Sequence, residues 1–154
     1  MMTPLTDADR RLLAILQADG RVSNQELAER AGMSASACWR RVRALEEAGV
    51  IAAYPVVLDA EKAGLSFSAI VHVTLTRHDA SHVETFIARI VERPEVLECL
   101  ATTGEADYHL RVVCRDKDAY NAFLDTFLFR LPGIAHVRTN LVLKEVKLST
   151  RLPV

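Results

Sequence analysis

Cysteine is scarce and unpatterned in this chain of 154 residues: Cys38, Cys99 and Cys114 are odd in number and form no C-x-x-C pair. That argues against a disulfide scaffold or a thiolate zinc site and fits reduced core thiols in a cytoplasmic protein. The five histidines, His72, His78, His82, His109 and His136, have no cysteine pair near them. Neither a metal nor any other cofactor is therefore expected. No run of about 18 apolar residues and no signal-peptide pattern occurs, so neither membrane insertion nor export is indicated. Charge of either sign is in no excess: the net charge is −1, with 7 Lys+Arg against 8 Asp+Glu in residues 1–60 and 12 against 12 in residues 61–154. A basic coating protein is excluded. With 50% hydrophobic residues, the chain has enough apolar side chains for one sizeable core or two small ones.

One local absence stands out. Between Ser34 and Leu45 there is no acid, while Arg40, Arg41 and Arg43 lie close together. Ser23 and Glu26 have capping-box spacing and predict the start of a helix with Leu27, Ala28 and Ala31 inward. Gly32 suits the positive φ of a tight turn, and Ser34 is placed to cap a following helix. On that helix Cys38, Val42 and Leu45 share the inner face, so Ser36, Arg40 and Arg43 point outward, with Trp39 and Arg41 on opposite flanks. Gly49 ends it, and Val50-Ile51 should begin a strand. Two short helices about one turn apart, the second with a basic outer face, resemble a DNA-reading helix-turn-helix. Ser34 and Ser36 would reach phosphate or base edges, and Arg40 and Arg43 guanine O6 and N7. Arg41 is open between an intradomain salt bridge and a phosphate contact. Trp39 is open between a lid on the helical core and a wedge against sugar and phosphate.

Upstream, Thr6 with Asp7 and Asp9 predicts a helix carrying Leu12, Leu13, Ile15 and Leu16. Downstream, IAAYPVVLD suggests a small wing or an exit strand, and Asp59 to Gly64 breaks the pattern. The expected division is residues 1–58 for a DNA-binding domain, 59–65 for a linker and 66–154 for a second domain. The second part alternates from Phe67 to Leu75 as a strand. Ser81 and Glu84 suggest another capping box, with Val83, Phe86, Ile87, Ile90 and Val91 forming a helical stripe. Val96–Thr103 and Tyr108–Cys114 read as a hairpin around Gly104-Glu105-Ala106-Asp107. Asp116 opens a helix that Pro132-Gly133 stops, and Ile134–Val146 alternates as a long strand. The order βαββαβ is a ferredoxin-like split arrangement with helices on one sheet face. Ile70, Leu97 and Val113 fall on positions that could line the bare face, where a partner subunit is the expected cover.

The opening LTDADRRLLAILQADGR, the segment MSASACWRRVRALEEAGVIAAY, the turn TTGEADYHLRVV and the ending LPGIAHVRTNLVLKEVKLSTRLP resemble the Lrp/AsnC (feast/famine) family over essentially the whole chain. The resemblance implies an α+β protein with an N-terminal winged helix-turn-helix and a C-terminal ferredoxin-like effector-binding domain. It also implies transcriptional control by a free amino acid, homodimers paired through the sheet, and octamers built from them. Duplex DNA and a small amino acid are the implied partners. The runs CWRRV and LKEVKLSTRLP are similar to the leucine-responsive branch, which favours leucine or another apolar amino acid. Family members bind effector near a turn matched here by Thr103, Gly104, Asp107 and Tyr108. Backbone N–H groups near Gly104 suit a carboxylate, and Asp107 suits an ammonium. The same residues could instead serve only the geometry of a hairpin. Two alternatives follow: an effector-independent architectural DNA-binding oligomer, and an enzyme resembling the sirohaem decarboxylases. The second lacks a cluster of His with Arg or Tyr to engage a carboxylated tetrapyrrole, so no enzymatic activity is expected.

Overall fold

The computed structural model describes residues 4–76 and 80–154, so the sequence reading of His78 falls outside the described residues. It divides the chain into two compact units, one of residues 1–57 with 147–154 and one of residues 58–146.

The first unit holds α1 (Asp7–Ala18), α2 (Asn24–Ala31) and α3 (Ala35–Glu47). The Thr6 hydroxyl accepts from the Asp9 N–H at 3.2 Å, and the Asp9 carboxylate accepts from the Thr6 N–H at 2.9 Å, a complete capping box. Ser23 forms only half of one: its Oγ accepts from the Glu26 N–H at 3.2 Å, while the Glu26 carboxylate turns to Arg30 at 3.5 Å. Gly32 ends α2 in the left-handed region at φ 69°, and the Ser34 Oγ caps α3 by accepting from the Ala37 N–H. Leu12, Leu27, Ala28, Ala31 and Cys38 close the core, with Ile15, Leu16, Val22, Met33 and Val42 packed around them. Burial pushes the Cys38 thiol above its ordinary range, as expected of an inert core cysteine.

Two expectations are corrected here. Val50-Ile51 begin no strand, and residues 51–58 form no paired wing, because Pro55 lacks a donor and Val56, Val57 and Leu58 stay exposed. The segment Lys147–Val154 packs with the first unit. There the Gln17 amide donates to the Leu152 carbonyl at 3.1 Å and accepts from the Leu152 N–H at 2.6 Å.

The second unit holds β1 (Phe67–Leu75), α4 (Ala80–Ile90), β2 (Val96–Ala101), β3 (Tyr108–Cys114), α5 (Lys117–Thr126), a single 3-10 turn (Leu128–Arg130) and β4 (Ile134–Leu141). α4 begins one residue before the Ser81 expected to cap it. β4 stops at Leu141, short of the Val146 that alternation suggested, although the Val142 N–H still donates to the Ser68 carbonyl at 3.0 Å. The sheet order is β2-β3-β1-β4 with every pair antiparallel, which is the ferredoxin-like order. Ala69, Val71, Val73 and Leu75 face the helices and are at most 4% exposed, meeting Phe86, Ile90, Tyr120, Phe123, Leu128 and their neighbours. Full burial of a residue such as Phe86 or Ile90 contributes about 1.5–3 kcal/mol. The opposite face carries Ser68, Ile70, His72 and Thr74 of β1, with His109, Arg111 and Val113 beside them on β3.

Two left-handed glycines differ in their surroundings. At Gly133, φ is 79° and an added Cβ would lie 2.6 Å from the His82 Cβ, whereas at Gly32 an added Cβ meets nothing within 4 Å. Gly32→Ala should cost about 1 kcal/mol from backbone strain alone. Gly133→Ala should cost at least about 2 kcal/mol, because steric overlap adds to that strain. Urea unfolding of the two variants checks the order, and equal losses would contradict it.

Candidate nucleic-acid interface and ligand turn

The helix-turn-helix positions α3 by two separate devices: the apolar residues Cys38, Val42 and Leu45 face inward, and Arg41 is clamped from outside the helix. The Arg41 guanidinium donates to Asp9 Oδ1 at 2.9 Å and to the Thr6 Oγ1 at 3.2 Å, fastening α3 to the capped start of α1. Burial alone would push the Asp9 carboxyl up, but hydrogen bonds from Thr6 and the Arg41 charge outweigh it and hold the group below the usual carboxylate range. Arg43 lies 3.4 Å from Glu46 and 3.9 Å from Glu47. Only Arg40, of the three arginines, has no acidic partner among the described residues. The acids that oppose the other two lie just outside the acid-free window, or in α1. Spacing along α3 could reveal Glu46 and Glu47 but not Asp9, which is 32 residues away from Arg41.

Ser34 is occupied as a cap and shares a 3.3 Å hydroxyl contact with Ser36, which is exposed. Trp39 is 57% exposed and lines a shallow cleft with Leu16, Val22, Leu27, Val42 and Tyr54. Its inner edge therefore lies against the helical core, as the lid reading expects, while much of the indole remains open to solvent. Tyr54, missed by the sequence reading, joins the cleft and donates its hydroxyl proton to Glu46 Oε1 at 2.9 Å. Burial, then the Glu46 hydrogen bond and charge, push this phenol up to about 12.

The second candidate is the β2–β3 turn. Asp107 is fixed to β1 at two points: its N–H donates to the Val73 carbonyl at 3.0 Å, and its Oδ2 accepts from the Leu75 N–H at 2.7 Å. The Thr74 hydroxyl donates to the Glu105 carbonyl at 3.3 Å, and Glu105 meets Arg138 of β4 at 3.4 Å. Gly104 takes φ 122°, a conformation open to glycine. Thr103 and Gly104 are exposed, and neither N–H donates to a group among the described residues. Tyr108 packs its ring 4.8 Å from Phe86. The four residues expected at this site thus lie in one continuous turn, with free amide donors at one end and a carboxylate at the other. One Asp107 oxygen is committed to the fold, a role that only the strand register reveals.

Among the described residues there is no group of three or more His, Cys, Asp and Glu able to hold a metal ion, and no helix is long and apolar enough to cross a membrane.

A helix-turn-helix unit joined to a ferredoxin-like unit with a polar turn defines a two-domain DNA-binding and ligand-binding protein. Comparison with known proteins agrees. The winged helix-turn-helix DNA-binding family matches residues 5–52, and the Lrp/AsnC ligand binding domain matches residues 68–152. The Bkd operon transcriptional regulator of Pseudomonas aeruginosa is 40% identical over 152 residues, covering 99% of each chain. The leucine-responsive regulatory protein of Escherichia coli K12 is 40% identical over 144 residues, covering 94% of this chain and 88% of that one. A Neisseria meningitidis transcriptional regulator solved with L-methionine superposes with a TM-score of 0.93 at 37% identity over 97% of both chains. The chain belongs to the Lrp/AsnC family of DNA-binding transcription regulators.

The two neighbouring arginines should separate experimentally. Arg41→Ala should lower stability by about 1 kcal/mol, since the ion pair is partly exposed, while Arg40→Ala should leave it unchanged. Guanidinium unfolding measures both, and an equal loss would contradict the clamp. Because the folded pKa of Asp9 is depressed, its contribution is present above about pH 4 and fades as pH falls through the lower folded value.

Proposed function

We propose that this chain is a sequence-specific transcription regulator whose assembly or DNA affinity changes with a free amino acid bearing an apolar side chain. Arg40, with Ser36 and the exposed part of Trp39, faces DNA; Arg43 joins them by exchanging its acidic neighbours for phosphate or guanine. Arg41 serves the fold. The effector lies at Thr103, Gly104, Asp107 and Tyr108.

The observation that carries this reading is the turn. A free amino acid presents an ammonium and a carboxylate that both need partners when water is excluded. The unpartnered N–H groups of Thr103 and Gly104 suit the carboxylate, and the Asp107 oxygen not held by Leu75 suits the ammonium. The leucine-responsive relatives and the L-methionine complex of the Neisseria neighbour favour an aliphatic or thioether side chain. The relatives are transcription regulators, which supports a regulatory role for this chain.

Calorimetry against the twenty amino acids tests this reading. One apolar amino acid should bind selectively. Asp107→Asn, which keeps an acceptor for the Leu75 N–H but removes the charge, should weaken it at least tenfold without lowering the melting temperature. Unchanged binding would remove Asp107 from the site. No binding by any amino acid would favour the effector-free DNA organiser.

The bare sheet face supports the homodimer from which octamers would be built. His72 and His109 stack edge to face at 4.5 Å, and Arg138 and Asn140 of β4 flank His72. Burial, then the charges of His109 and Arg138, hold the His72 ring below its ordinary pKa. Also on or beside this face are Arg111, paired with Glu145, Glu105, paired with Arg138, and His136 and Glu98. A depressed histidine contributes stability above about pH 6.5 and loses it as pH falls through the folded value. The folded unit should therefore lose stability on acidification, as urea unfolding at graded pH would show. Leu100→Glu, which places a charge on the same face opposite His109, should dissociate the dimer at neutral pH. A dimer indifferent to that change would pair elsewhere.

A further inference from the structure

The helices of the DNA-binding unit supply little net attraction for a polyanion. Residues 1–57 carry seven Lys+Arg and seven Asp+Glu. Within them Arg30, Arg41 and Arg43 are paired with Glu26, Asp9 and the two acids Glu46 and Glu47. Arg10, Arg11, Arg21 and Arg40 have no acidic partner among the described residues. The segment Lys147–Val154, part of the same unit, adds Lys147 and Arg151 and no acidic side chain. Neither cation meets a carboxylate among the described residues. Two of the six side-chain cations of the unit that are unopposed among the described residues thus come from a segment late in the chain.

This segment is also held in place. The Gln17 amide satisfies both backbone polar groups of Leu152, at 3.1 and 2.6 Å, as a paired strand would, so the neighbour of Arg151 is fixed to the end of α1. Cations on an anchored backbone lose less freedom on binding than cations on a loose chain. Both kinds act on DNA through phosphate, where each charge neutralised releases counterions.

We propose that Lys147 and Arg151 contact the phosphates of duplex DNA, making this segment part of the DNA interface. The assignment rests on the DNA-binding role of the unit, for which Arg40→Ala is the separate control. Phosphate contacts add affinity without sequence preference and are read in the salt dependence.

The experiment measures binding of the full chain to a random-sequence duplex between about 50 and 200 mM salt. In Lys147→Ala/Arg151→Ala the slope of log K against log salt should become shallower by about 0.9 for each phosphate that the variant no longer neutralises. Affinity at the low-salt end should fall several-fold, with an unchanged melting temperature. Lys147→Arg/Arg151→Lys should restore the wild-type slope, and Gln17→Ala should weaken binding with both cations retained. A wild-type slope and affinity in the double alanine variant, while Arg40→Ala weakens binding, would overturn the inference alone. A lower melting temperature with an unchanged slope would also overturn it, by assigning the segment a purely structural role. If neither variant weakened binding, the DNA-reading role of α3 would fall with it.

Discussion

The alternation of β1 is the constraint on which the sensor domain depends. This strand pairs with β3 on one side and β4 on the other, so its register is fixed from both edges. Ala69, Val71, Val73 and Leu75 must face the helices, and a slip of one residue would turn them all to the opposite side. The same register places the Val73 carbonyl and the Leu75 N–H where Asp107 meets them. The candidate ligand turn is thereby joined to the hydrophobic core through one strand. The alternate set, including His72, is delivered to the uncovered face by the same parity.

The reading unit shows a division of labour among similar residues. Of three arginines within four residues of α3, one is a structural clamp, one is shared with two acids and one is unopposed among the described residues. An arginine fixed to Asp9 orients the helix, and an arginine without a partner keeps its full charge for an external anion. Fixing the helix reduces the ordering that recognition would otherwise require. The half-exposed Trp39 and the Tyr54–Glu46 hydrogen bond extend this support to the flank of α3.

Local signals were legible in sequence. The Thr6 cap, the Gly32 turn, the Ser34 cap and the alternation of β1 each depend on residues within a few positions of one another, and all appear in the fold. Thr103, Gly104, Asp107 and Tyr108 were brought together by the family resemblance of their turn rather than by a local signal. What escaped was long-range or depended on where hydrogen bonding ends. Arg41 with Asp9, Asp107 with Leu75 and Gln17 with Leu152 join residues that no periodicity relates. Residues 51–58 and 143–146 have strand-like composition but find no ladder partner, because alternation reports a preference for one face and not the presence of a neighbouring strand.

The discontinuity of the reading unit has a kinetic side. Gln17 and Leu152 are 135 residues apart, and the whole sensor domain lies between them in the chain. The three helices rely on near neighbours and can form early during synthesis, while the final element of the unit arrives only after the sheet has been made. A nascent reading head is therefore incomplete until its sensor exists. Synthesis itself thus orders the maturation of the two activities.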